Sequence, residues 1–155
     1  MTTVAIDINP VTLRRMIFHS LYQWLGIVCL AVAAAPAMWR GGWPERTAAI
    51  AMVAAWLGSG LVQNGMQLWG LQIGVMLIDL VLLAVLLAIA LRSDRWWPMW
   101  ASAFHGLGAL LHFAVLVDAK VWGRTYFIAG SLFSFLTLAA LLVGGINRMR
   151  RPLAD

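Results

Sequence analysis

Three ionisable side chains, Asp79, His105 and His112, stand inside stretches that are otherwise apolar. Asp79 lies near the middle of the run from Leu68 to Leu91, and the two histidines lie between Pro98 and Val117. A carboxylate at the centre of a bilayer costs ~2.5–3.5 kcal/mol on insertion scales, so it must be protonated, paired or facing water. Counted from the Arg92 loop, Asp79 is about 13 residues into its run, roughly 20 Å at helical rise. His112, about 14 residues beyond Pro98, reaches a similar depth on the next run. Two antiparallel helices therefore place Asp79 beside His112. Such a contact serves either as glue between helices, the commoner use, or as one step of a proton path.

Other residues extend this polar cluster. Gln72 is two helical turns before Asp79, with Met76 between, so the three make one seam. His105 and His112 share a helix face with Ala101, Ser102, Gly108 and Ala109, a small and partly polar face that another helix can approach closely. Gly70 and Gly74 are in GxxxG register, and Gly130, Ser134 and Thr137 form a further small stripe. Asp79, His105, His112 and Gln72 are thus the candidate intramembrane cluster. Haem is the weaker reading of the histidines. Two histidines on one helix face cannot grip one iron from opposite sides, and His19 lies near the other membrane edge. The single Cys29 allows no internal disulfide and no CxxC site. No metal site and no other cofactor is expected.

These residues need elements to hold them, and composition says which. The chain has 155 residues, 63% hydrophobic and 11% charged, with a mean hydropathy of +0.86. A soluble domain carries roughly a quarter charged residues. A chain this apolar cannot clothe itself for water, and the bilayer is the solvent that suits it. The net charge of +5 comes from short basic clusters between apolar runs. That pattern fits membrane topology and headgroup contact rather than nucleic acid. There is no HExxH, GxSxG, P-loop or paired-carboxylate motif, and the loops are too short for a catalytic domain. The expectation is a non-catalytic protein.

The apolar pattern predicts an all-helical transmembrane bundle, with spans at about 17–39, 47–63, 68–91, 98–117 and 125–146. The start has features of a signal peptide, with Arg14-Arg15 before a run ending in Ala33-Ala34-Ala35-Pro36-Ala37. Its length suffices to span, and more spans follow, so it reads as a first transmembrane helix. The second span is the weakest, being alanine-rich and holding Gly58-Ser59-Gly60. If it does not cross, four spans remain. Five alternating spans put Arg40, Arg46, Arg92, Arg95, Arg148, Arg150 and Arg151 on one side, against Arg14, Arg15, Lys120 and Arg124. The first set marks the cytoplasmic side, which puts the C-terminus inside for either count of spans and the N-terminus outside for five. Trp39, Trp43, Trp96, Trp97 and Trp100 cluster at that face and Trp69 and Trp122 at the other, as lipid-interface anchors. Trp43-Pro44 recurs as Trp97-Pro98, and Trp69-Gly70 as Trp122-Gly123, which hints at two related helical hairpins.

The stretches Trp39-Arg40-Gly41-Gly42-Trp43-Pro44-Glu45-Arg46 and Leu91-Arg92-Ser93-Asp94-Arg95-Trp96-Trp97-Pro98-Met99-Trp100 resemble those of small uncharacterised inner-membrane proteins of alphaproteobacteria. The resemblance implies a bacterial inner-membrane location and carries no mechanism and no site residue. The leading expectation is an accessory or structural subunit, packed against other membrane subunits or further copies of itself. The alternative is a small proton-coupled transporter or proton-conducting protein using Asp79 and His112. A haem or quinone electron-transfer protein comes third.

Overall fold

A computed structural model describes residues 10–62, 73–118, 120 and 123–150, with side chains from Gln23 onward apart from those of Arg124 and Thr125. Gln72, Trp69, Gly70 and Trp122, and the side chains of Arg14, Arg15 and His19, lie outside the described set. The described chain forms five α-helices: α1 (Pro10–Arg40), α2 (Trp43–Val62), α3 (Ile73–Arg92), α4 (Trp97–Val117) and α5 (Arg124–Met149). α1 begins at Pro10, earlier than the apolar run suggests. Pro10 is compatible with a first helical turn, where it leaves no N–H unpaired.

Each helix packs against its neighbours in sequence, α5 closes the ring against α1, and α2 also touches α5. Four stretches are long and apolar enough to cross a membrane: Gln23–Arg40, Ile73–Arg92, Trp97–Val117 and Tyr126–Met149. The protein is accordingly a membrane-embedded helical bundle. α2 does not join that set, and Glu45, Arg46 and Gly58-Ser59-Gly60 are what lower its hydropathy. It nevertheless runs antiparallel along α3. A Cβ on Gly58 would lie 3.3 Å from Ile78, and one on Gly74 would lie 3.2 Å from Val62. At 20 residues, α2 is about 30 Å long.

The bundle is packed unevenly along its length. The core gathers toward the end where α1, α3 and α5 finish and α2 and α4 begin. It contains Ala33 and Ala37 of α1, Ala48 and Ala49 of α2, Leu86 and Ile89 of α3, Trp97 and Ala101 of α4, and Leu141 of α5. Alanine lets helix backbones approach closely, which is how membrane helices gain dispersion contact without a hydrophobic driving force. Outward faces carry Val28, Val32, Ile50, Leu57, Leu77, Val81, Leu110 and Leu132, all substantially exposed. This apolar exterior suits lipid.

Trp39, Trp43, Trp96 and Trp100 are exposed around the tightly packed end, in the position of interface anchors. Trp97 is not: only 2% of it is exposed. It faces inward at the start of α4 while Trp96 and Trp100 face out. Its ring lies flat against α5, where a Cβ on Gly144 would be 2.7 Å from three ring atoms. No residue larger than glycine fits there without moving the helix or the ring. Trp97 is a core residue, and the expectation of a lipid anchor is corrected.

Candidate functional site

Two buried or partly buried carboxylates face other helices, and they are set in opposite ways. Glu45 is 1% exposed. Its Oε2 accepts from the Gly42 backbone N–H at 2.8 Å, and its Oε1 accepts from the Trp97 indole N–H at 3.0 Å. Gly42 precedes α2 and Glu45 is the third helical residue, so the first bond is the return half of a capping box. The negative charge also sits at the positive end of the α2 dipole. The second bond gives a buried indole the acceptor it needs. Gly41 makes the approach possible, since a Cβ there would be 2.0 Å from the Ala37 carbonyl oxygen. Both carboxylate oxygens are bonded, and the residue is buried.

Asp79 projects from α3 toward α4. Its Oδ2 is 3.0 Å from His112 Nε2, the contact expected from matched depth. His112 Nδ1 is 3.1 Å from the Tyr126 hydroxyl of α5, and the two rings meet edge to face at 5.9 Å. His105 Nε2 lies 3.0 Å from the backbone carbonyl of Asp79. A carbonyl only accepts, so Nε2 of His105 carries the proton and donates. Asp79, His105 and His112 are thus brought together.

Both ring nitrogens of His112 are engaged, and this gives the chain its chemistry. In one arrangement the Tyr126 O–H donates to Nδ1 while Nε2–H donates to the Asp79 carboxylate. In another, a protonated Asp79 donates to Nε2 and Nδ1–H donates to the Tyr126 oxygen. An imidazolium donates both ways. The second and third arrangements interconvert by moving one proton along the existing Asp79–His112 bond, and the first joins them when the cluster takes up one further proton and the Tyr126 hydroxyl turns from donor to acceptor. Ligation of a metal or haem iron by His112 would break one of them. Among the described residues, no three His, Cys, Asp or Glu side chains could share a metal ion.

The chain borders a cavity of ≈ 200 Å³ between α3, α4 and α5. Asp79, His105, His112 and Tyr126 reach it, together with Gly108, Gly130 and the aromatic rings of Phe127 and Phe133. His112 is nearly covered, with its side chain 8% exposed, whereas the Asp79 side chain is 26% exposed. The cavity therefore meets the carboxylate more than the imidazole. Phe127 and Ser134 at its rim are exposed, so it opens to the outside of the bundle. Gly130 and Ser134 of the α5 small-residue stripe line it. Thr137, further along, is buried and bonds back to the Phe133 carbonyl at 2.8 Å.

Depth along the bundle is informative. His112 is five residues from the end of α4 at Val117, roughly 7.5 Å. Asp79 lies at the same level on α3, bonded to it. The site lies away from the alanine-rich core, toward the end where α4 finishes. Tyr126 and Glu45 are the two residues that sequence reasoning missed here. The Gly-Trp-Pro-Glu run signals a cap on α2 but says nothing of Trp97, 52 positions away. Tyr126 was hidden by register, because α5 is offset so that Gly144 rather than a later residue meets Trp97.

A scan against family models finds no match to this chain, and searches of curated proteins and of solved structures find none either.

Proposed function

We propose that this is a small multi-pass protein of the bacterial inner membrane that passes protons through Asp79, His112 and Tyr126, as a proton-conducting or proton-coupled transport protein. The observation that carries this reading is the unbroken hydrogen-bonded chain Asp79–His112–Tyr126 along the wall of an open cavity. Energetics favour it over glue. A carboxylate costs up to ~2.5–3.5 kcal/mol to place in a membrane helix, most at the centre. A polar contact between membrane helices returns about 0.6 kcal/mol on average. A pair of such contacts leaves a deficit, so stability alone does not account for Asp79.

The basic residues Arg40, Arg46, Arg92, Arg95, Arg148 and Arg150 all belong to the tightly packed end. The positive-inside rule makes that end cytoplasmic and carries the C-terminus with it. The proton chain then lies nearer the outer face. α2 crosses with the other four helices in this reading, because it follows α3 along its length.

The test is proton flux in liposomes reconstituted with the full chain, driven by a potassium diffusion potential and read with an internal pH dye. Flux above that of empty liposomes is expected, with loss in Asp79→Asn and a marked reduction in His112→Gln. Flux equal in wild type and Asp79→Asn would overturn the reading. An accessory subunit is the second reading, favoured by the continuous apolar exterior and the very short turn at Gly41-Gly42. Native-membrane pull-down that recovers stoichiometric partner subunits would support it.

A further inference from the structure

We infer that the cavity between α3, α4 and α5 binds a small lipophilic organic cation, and that this cation and a proton compete for the Asp79 site. The inference rests on the proposed proton-handling role of Asp79 and names what the proton would be exchanged for. The first ground is charge. The ionisable groups that reach the cavity are Asp79 from α3, His105 and His112 from α4 and Tyr126 from α5. No Lys or Arg is among its described lining residues, and α2, which flanks α3, carries no ionisable residue from Ala51 to Val62. With His112 neutral and Asp79 ionised, one negative charge in the site has no positive partner among the described residues of a membrane-embedded bundle. One positive charge removes that cost. A proton on the Asp79–His112 pair supplies it, and so does a bound cation. The two are mutually exclusive, because an imidazolium 3.0 Å from the carboxylate already balances it.

The second ground is shape and lining. A cavity of about 150 Å³ is enough for a benzene ring, so ≈ 200 Å³ suits a single-ring or compact tetraalkyl ligand. Phe127, Phe133 and Tyr126 line it, and aromatic faces attract organic cations, quaternary ammonium above all. The third ground is access. The rim at Phe127 and Ser134 is exposed on an outer surface that is otherwise apolar. A ligand that partitions into lipid reaches this opening, and a strongly hydrated metal cation does not. Binding is then an exchange: the cation enters, the Asp79–His112 pair gives its proton to the aqueous phase, and the charge of the site is unchanged.

The experiment is calorimetric titration of the detergent-solubilised full chain with benzyltrimethylammonium, whose charge is permanent, in buffers of different ionisation enthalpy. Saturable binding is expected, with up to one proton released per cation and affinity that rises as pH rises, up to about ten-fold per pH unit while the pair is protonated. Asp79→Asn, checked for monodisperse elution, is expected to weaken binding at least ten-fold. Ser134→Phe, which fills the rim and leaves the carboxylate in place, should do the same. The neutral isostere neopentylbenzene should bind far more weakly than the cation. No saturable binding, equal binding by Asp79→Asn, or equal affinity for the neutral isostere would each overturn the inference. Proton flux that persists without cation binding would sink this inference alone. Asp79-dependent cation binding without any proton flux would sink the proton-transport reading and leave the cation site standing.

Discussion

Glu45 and Asp79 are both acidic residues turned toward other helices of a membrane bundle, and their surroundings differ in every respect that matters. Glu45 sits at a helix N-terminus, 1% exposed, with a donor on each oxygen. Its partners are a backbone N–H and an indole, neither of which ionises in the physiological range. Asp79 sits within α3, bonded through one oxygen to an imidazole and facing a cavity. Histidine is the side chain whose charge changes most readily near neutral pH. The same functional group is used once as a fixed acceptor that ties α2 to α4, and once as a member of a chain with several proton arrangements. Full satisfaction and dry packing mark the first use, and partial exposure beside a titratable partner marks the second.

Substitutions can break this contrast, and the tight end should respond most. Trp97→Ala removes a buried indole from between α2 and α5, and a loss of roughly 3–5 kcal/mol is expected, read as a large fall in the unfolding midpoint in detergent. Gly144→Leu drives a side chain into the same ring and should give comparable loss or aggregation on size-exclusion chromatography. Glu45→Ala strands the buried Trp97 indole donor and the part-buried Gly42 N–H. Each unsatisfied donor costs about 1–3 kcal/mol. Trp97→Phe made in the Glu45→Ala background should cost less than it does alone, because the stranded indole N–H is gone. Asp79→Asn should change stability by no more than about 1 kcal/mol, since the group it removes is itself costly in lipid and its contacts are individually weak. Tyr126→Phe should be the mildest, about 0.6 kcal/mol, while slowing proton flux by cutting the last bond of the chain.

Much of the molecule could be read from residue patterns. Length and apolarity fix helices in a bilayer, because an unpaired backbone in lipid is too costly for any open structure. The turn at Gly41-Gly42 and the loop before Trp97 follow from glycine, proline and charge. Asp79 meeting His112 followed from depth alone, because adjacent antiparallel helices joined by a short loop have little freedom to slide. The α4–α5 register was less legible. It is set by the flat seating of Trp97 on Gly144, and nothing local in the sequence says which tryptophan of the Trp96-Trp97 pair turns inward. Tyr126 follows from that register: it stands about three residues, roughly 4.5 Å, further along the bundle than His112, a step that a phenol side chain covers. An acid in the first turn of α2 complements the helix dipole, which is half the role of Glu45. Its other partner is a long-range contact that only tertiary packing creates.

The division between a fastening carboxylate and a working one is tested most directly by thermal unfolding of Glu45→Ala and Asp79→Ala, measured side by side in the same detergent. Glu45→Ala is expected to lower the midpoint by roughly 5 °C or more, given 2–4 °C per kcal/mol for a chain of this size. Asp79→Ala is expected to stay within about 3 °C of wild type, because His112 Nε2, which loses its partner, borders the cavity where water can replace it. A midpoint that falls more for Asp79→Ala than for Glu45→Ala would contradict the account, because Asp79 would then be holding the bundle together.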